Sequence, residues 1–245
     1  MEVNNLECKN LLEAGIKELD LELKLKEKQI NQFKQYLAIL QEWNQKMNLT
    51  ALNKADEIII KHFLDSLSCF KLINVKQAKR MLDVGTGAGF PGLPIKIFNP
   101  DSNLVLLEAV RKKIFFLQEL CYKLDLSRIE FIHGRAEEFG QDNNYRESFD
   151  LVVSRAVAEI NILIEYTLPF VKVGGELIIQ KGRNIEQELN RAKAGIKLLG
   201  GEIERITEFN LAIVKERRNL IKIKKIRETP SKYPRRAGKP EKDPL

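Results

Sequence analysis

Four residues, Met81-Leu82-Asp83-Val84, run without a break into Gly85-Thr86-Gly87-Ala88-Gly89-Phe90-Pro91-Gly92, and a helical pattern resumes at Leu93. This junction constrains the chain more than any other segment. Glycines between a strand and a helix let the backbone turn tightly and let a ligand approach the main chain where a Cβ would block it. Such a turn belongs to an open α/β sheet, in which ligands sit outside the carboxyl ends of the strands. The spacing also restricts the ligand. A dinucleotide fingerprint reads G-x-G-x-x-G, whereas here the sixth place is Phe90 and the third glycine comes one residue early, at Gly89. An adenosyl group without a pyrophosphate suits this turn better than a dinucleotide does.

The flanking sequence agrees with such a sheet. Short apolar stretches at 80–84, 103–107, 129–133, 149–154 and 176–180 predict strands, and helical patterns at 93–98, 111–124, 159–170 and 185–199 alternate with them. Gly200-Gly201 stops the last helix, and two β-rich segments follow at 203–209 and 219–226. Seven strands ending in a hairpin predict a mostly parallel sheet covered on both faces. Upstream, a helical pattern at 11–19 precedes a stronger one at 26–47, where Ile30, Phe33, Leu37, Leu40 and Trp43 recur at three- and four-residue spacing. A further helix over 56–70 carries His62, Asp65 and Ser66 on or near one face. The expected organisation is a helical extension over 1–75, a core over 76–228 and a basic arm over 229–245.

The formal net charge of +7 gains meaning from its location. Residues 215–245 hold twelve Lys and Arg against four Asp and Glu, a local +8 that leaves the first 214 residues at −1. Tyr233, Pro234, Gly238 and Pro240 interrupt the cations, which predicts a stiff extended arm able to neutralise nucleic-acid phosphates rather than a helix face. Cys8, Cys69 and Cys121 are widely spaced with no C-x-x-C pair, so no disulfide framework or metal site is expected. Apolar runs such as Leu104 to Leu107 stop far short of the ~20 residues that span a bilayer, and no signal pattern opens the chain. A soluble, cytoplasmic protein is expected. No heptad seam or broad apolar face calls for a second copy, and the expected state is a monomer.

Candidate site residues lie at strand ends. Gly85 and Gly87 shape the turn. Glu108 ends the second strand, where a carboxylate can accept hydrogen bonds from both hydroxyls of a ribose. After the third strand, the backbone around Ala136 and Glu137 can pair with an adenine edge, although a charged loop explains Arg135-Ala136-Glu137 equally well. Arg155 ends the fourth strand beside the point where substrate and cofactor meet; a structural salt bridge is the alternative use of an arginine there.

Six blocks, in order, resemble the bacterial 16S ribosomal RNA guanine-N7 methyltransferases of the RsmG (GidB) family. They are Trp43-Asn44-Gln45-Lys46-Met47-Asn48-Leu49-Thr50, Lys61-His62-Phe63-Leu64-Asp65-Ser66, Asp83 to Pro91, Arg135-Ala136-Glu137, Ser154-Arg155-Ala156-Val157-Ala158 and Thr229 to Arg236. The resemblance covers nearly all the chain beyond the first helix. It implies a Rossmann-like, class I S-adenosylmethionine-dependent methyltransferase, with cofactor contacts at Gly85, Phe90, Ala136, Glu137 and Arg155, and Arg155 as the catalytic candidate. Relatives usually carry Asp-Ser where this chain has Glu108-Ala109. The implied reaction methylates N7 of a guanine at position 527, in the 530 loop of 16S rRNA, in the small ribosomal subunit or its assembly intermediates. Candidate RNA contacts are Asn48, Lys61, His62 and Lys181 in the body and Tyr233, Arg235 and Arg236 in the arm. Side chains cannot enter the deep, narrow major groove of paired RNA, so the target is expected to be a splayed-out loop base stacked on Phe90 or Tyr233.

Overall fold

Alternation along the strands sorts their apolar residues onto two faces, and each face acquires its own helical layer. The computed structural model describes residues 5–74 and 78–245, so the expected boundary between residues 75 and 76 lies outside the described residues. The strands are β1 (Arg80–Val84), β2 (Asn103–Glu108), β3 (Ile129–His133), β4 (Phe149–Arg155), β5 (Val171–Lys181), β6 (Gly201–Asn210) and β7 (Arg217–Lys225). They form one sheet in the order β3-β2-β1-β4-β5-β7-β6. The pairs joining β1 to β5 are parallel, and β7 runs antiparallel to both its neighbours. The strand order reverses between β1 and β4, which places a ligand crevice at their carboxyl ends.

Leu82, Val84, Val105, Leu107, Val152, Leu177 and Ile179 face one way, under α8 (Ile160–Thr167) and α9 (Glu186–Leu198). Met81, Leu104, Leu106, Leu151, Val153 and Ile178 face the other. That second face is covered by α5 (Gly92–Phe98) and α6 (Arg111–Lys123) together with the N-terminal helices α1 (Asn5–Glu18) and α2 (Glu27–Met47). Leu12, Phe33, Tyr36, Leu40, Phe63 and Leu67 are fully buried in this layer. The N-terminal helices therefore share with α5 and α6 one of the two layers that bury the sheet.

The helix expected over 56–70 forms, but with a change of pitch. It runs through α3 (Ala55–Ile58), a π-helical turn at Ile59–Leu64, α4 (Asp65–Leu67) and a 3-10 turn at Ser68–Lys71. Single π-helical turns are frequent at functional sites. This one carries Lys61 and His62.

The C-terminal segment departs from the expected extended arm. Arg146 donates hydrogen bonds to the carbonyls of Thr229, Pro230 and Tyr233, and Gln141 to those of Ser231 and Pro234. Lys225, fully buried, pairs with Glu147 at 2.9 Å. Tyr233 is buried in the core, and a short helix, α10 (Lys239–Lys242), lies against α8. The physical reason is long-range. Acids of the body and donors such as Arg146 satisfy the tail, and a local charge tally is blind to them.

Candidate active site at the carboxyl ends of the strands

Asp83 anchors the glycine turn. It is fully buried, and its Oδ2 accepts hydrogen bonds from Thr86 Oγ1 at 2.7 Å and the Gly92 N–H at 2.8 Å. Burial pushes its carboxyl up to about 6, against the opposing effect of those two donors. The N–H groups of Gly85 and Thr86 donate to the Leu107 carbonyl at 2.9 and 3.2 Å, which ties the turn to β2. Gly87 has φ +60°, and a Cβ added there would find nothing nearer than 4.0 Å. The turn is thus braced from below by Asp83 and open above, which leaves the main chain accessible to a ligand.

Glu108 ends β2 with only 6% of its surface exposed. One carboxylate oxygen accepts the Gly87 N–H at 2.9 Å, the other the Val110 N–H at 2.9 Å, so the carboxylate joins the glycine turn to the exit of β2. Beside it opens a cleft of about 130 Å³ whose walls include Gly85, Leu107, Ala136, Glu137, Val157 and Glu241. Ala136 begins the short helix α7 (Ala136–Phe139). Glu137 is buried there and accepts a hydrogen bond from the Gly238 N–H at 3.0 Å, which brings the C-terminal segment to the cleft.

Arg155 reaches from β4 into the π-helical turn. Its guanidinium donates to Asp65 Oδ2 at 2.9 Å, to the Lys61 carbonyl at 3.3 Å and to His62 Nδ1 at 3.2 Å. It also lies 5.0 Å from the centre of the Phe90 ring. A guanidinium has no acceptor, so Nδ1 must present its lone pair and the proton of His62 sits on Nε2, donated to Thr50 Oγ1 at 2.7 Å. His62 stacks on one face of Phe90, with ring centres 4.6 Å apart, and Tyr36 covers the other at 5.2 Å. Tyr36 in turn donates to the Ala88 carbonyl of the glycine turn at 2.5 Å.

These contacts fix the state of His62. Burial first, and the Arg155 charge second, push the imidazole down to about 3. A histidine depressed in the folded state contributes stability that is present above its ordinary pKa of 6.5 and is lost as pH falls from there toward 3. His62→Gln removes that titration. The slope of unfolding free energy against pH between 6.5 and 3 is expected to be shallower in this variant, as read by urea denaturation across that range; parallel curves would show that His62 does not titrate differently in the two states.

The structure gathers Gly85, Gly87, Phe90, Glu108, Ala136, Glu137 and Arg155 at the carboxyl edge of the sheet, with His62 against Phe90. The RNA candidates divide. Lys61 pairs with Glu216 at 2.8 Å, and Lys181 is held by Glu188 at 2.6 Å and the Ala158 carbonyl. Asn48, exposed, adopts a left-handed conformation that ends α2, and Arg236 is exposed. Arg235 is committed to Glu165. Stacking of a base on Phe90 or Tyr233 is excluded, since both rings are at least 94% buried and Phe90 is sandwiched on both faces. Sequence reasoning missed the supporting roles of Asp83, Tyr36, Thr50 and Arg218, the last facing Asp65 Oδ1 at 3.4 Å. Only Asp83 left a signal, as a charge inside an apolar strand.

The sheet order and its two helical layers are those of the class I, Rossmann-like fold found in methyltransferases. A putative O-methyltransferase from Klebsiella pneumoniae superposes with a TM-score of 0.54 at 14% identity, over 89% of this chain and 99% of that one. TYW2 from M. jannaschii, in complex with AdoMet, gives 0.50 at 13% identity, over 84% and 80%. At these identities the likeness concerns the fold. The sequence narrows the class: residues 29–228 match the family model GidB, rRNA small subunit methyltransferase G. The ribosomal RNA small subunit methyltransferase G of Alkaliphilus oremlandii is 51% identical over 98% of this chain and all of the relative, and that of Acetivibrio thermocellus 48% identical over the whole of both. The chain belongs to this family of rRNA small subunit methyltransferases, which use S-adenosylmethionine. Among the described residues no helix is long and apolar enough to cross a membrane.

Proposed function

We propose that this chain, as a cytoplasmic monomer, transfers a methyl group from S-adenosylmethionine to N7 of a guanine in the 530 loop of 16S rRNA, in the small subunit or an assembly intermediate. The observation that carries the reading is the cradle formed by Gly85, Gly87, Glu108, Ala136 and Glu137 beside the Arg155 cluster. Its open glycine turn and acidic strand end fit an adenosyl group. Glu108 would meet the ribose hydroxyls, the Ala136–Glu137 wall the adenine, and the main chain at Gly85 and Phe90 the remainder. When bound, the cofactor supplies an activated methyl on a sulfonium.

The acid–base groups of the site are already engaged. His62 Nδ1 is taken by Arg155, Glu108 by two backbone N–H groups, Glu137 by the Gly238 N–H, and Asp65 lies between Arg155, bonded to Oδ2, and Arg218, 3.4 Å from Oδ1. A nucleophile that must lose a proton has no obvious base here. Guanine N7 needs none, because its ring lone pair attacks directly, and what the protein supplies is orientation. The test is incubation with labelled S-adenosylmethionine and small subunits lacking the modification, with the label located by mass spectrometry. Label on another atom, or none on 16S rRNA, overturns the reading.

Arg155 serves orientation by joining β4 to the π-helical turn across the site. Arg155→Ala is expected to lower methyl transfer by about 100-fold, the scale of a small misplacement of reacting groups. Its melting temperature is expected to move by only a few degrees, because Arg218 still faces Asp65 at 3.4 Å. Single-turnover rates at the wild-type level would make Arg155 a structural ion-pair residue only.

A further inference from the structure

Positive charge that the sequence assigns to the tail gathers instead in a pocket beside the active site. The exit of β5 and the start of β7 frame a space of about 470 Å³, lined by Gly182, Arg183, Lys215, Glu216, Arg217 and Arg218. Four cations face one acid. That acid is doubly used: Glu216 Oε1 meets Lys61 at 2.8 Å and Oε2 meets Arg218 at 2.9 Å. Lys215 is paired with Glu18. Arg217 lies 3.8 Å from Glu208, but both side chains are more than half exposed, where such a pair holds weakly. Arg183 is exposed and forms no ion pair among the described residues.

The pocket is rigidly built. Asn219 pairs with Lys181 across β7 and β5, and its side chain donates to the Gly182 carbonyl at 2.7 Å, which fixes the turn that carries Arg183. The pocket also abuts the active site through one carboxylate. Arg218 faces Asp65 Oδ1 at 3.4 Å, while Arg155 binds Oδ2 at 2.9 Å.

We propose that this pocket holds backbone phosphates of the substrate RNA next to the target nucleotide, with Arg183 and Arg217 as the contacting groups. The proposal rests on the rRNA reading above. A base extruded into the active site keeps its own phosphates within a nucleotide of it, and the pocket lies at that edge of the site. Guanidinium groups present paired donors that match phosphate oxygens, and an excess of cations repels itself until a polyanion neutralises it. The arm over 229–245 is less well placed for the same task, because Arg235 is used inside the fold, paired with Glu165.

The test compares the wild-type chain, Arg183→Ala/Arg217→Ala and a tail variant, Lys232→Ala/Arg236→Ala, in binding a single-stranded fragment of small-subunit rRNA across a salt series. For the pocket variant we expect affinity about tenfold weaker at low salt and a log–log slope shallower by about 1.4, at ~0.7 for each phosphate the protein no longer neutralises. Its S-adenosylmethionine affinity and melting temperature should be unchanged, and Arg183→Lys/Arg217→Lys should keep the slope. An unchanged slope in the pocket variant, or a loss confined to the tail variant, overturns the proposal while leaving the function reading intact. If the wild-type chain neither binds nor methylates small-subunit rRNA, both fall.

Discussion

Replacing Arg235 with alanine is expected to destabilise the protein by about 3–5 kcal/mol, the usual consequence of leaving a buried charge without its partner. Glu165, on α8, has no exposed surface. Both its oxygens are engaged by Arg235, through Nε at 2.9 Å and NH2 at 2.7 Å, and one also accepts the Arg235 backbone N–H at 2.7 Å. Truncating the arginine strands that carboxylate. In a chain of this size the loss corresponds to a melting temperature lower by roughly 10 °C. Glu165→Leu/Arg235→Leu should recover much of it, because a buried pair is costly to break but cheap to replace with apolar groups. The same variant tests the proposed cofactor site, since Gly238, three residues on, donates to Glu137 in the wall of the cleft. Arg235→Ala should therefore also weaken S-adenosylmethionine binding. A wild-type unfolding curve for Arg235→Ala would mean that the C-terminal segment does not clasp the core.

That expectation reverses what charge alone says of the tail, and the reversal shows which features a sequence can express. Strand and helix periods are local, and they place β1 and β3 to the residue and, apart from the start of β5, every other strand end to within two residues. The glycine turn is equally legible, because a strand-to-helix junction and its glycines sit side by side in the chain. Segment 171–175 escaped as part of β5, because Lys172, Gly174 and Gly175 break the apolar run that otherwise marks the strand.

The supports of the site are long-range, and for that reason they are silent in sequence. Arg155 and Asp65 are 90 residues apart, Tyr36 and Ala88 52, Arg235 and Glu165 70. Each partner alone reads as an ordinary surface charge or core aromatic. Phe90 is the clearest case. Its position in the motif predicts a ligand-facing residue, yet its ring is consumed by Tyr36 and His62, so its side chain locks the N-terminal layer onto the glycine turn.

Gly87→Val separates these two duties of the turn, binding and packing. At φ +60° a side chain is strained, at a cost of about 1–2 kcal/mol, but beyond the adjacent residues no atom of the protein lies closer than 4.0 Å to the added Cβ. The fold can bear that. A ligand lying over the turn cannot, because the new methyl groups occupy the space through which it reaches the main chain, and the Gly87 N–H that Glu108 holds must shift with the backbone. The variant is expected to keep its circular dichroism while its S-adenosylmethionine dissociation constant rises at least tenfold, about 1.4 kcal/mol. Gly85→Val is the necessary contrast. There a Cβ would lie 2.5 Å from Val157 Cγ2, at φ +68°, so that substitution should lower the melting temperature before it touches affinity. Calorimetric titration and thermal unfolding of the two variants, side by side, distinguish a binding turn from a packing turn. Wild-type affinity in folded Gly87→Val would place the cofactor away from this turn, whatever becomes of Gly85→Val.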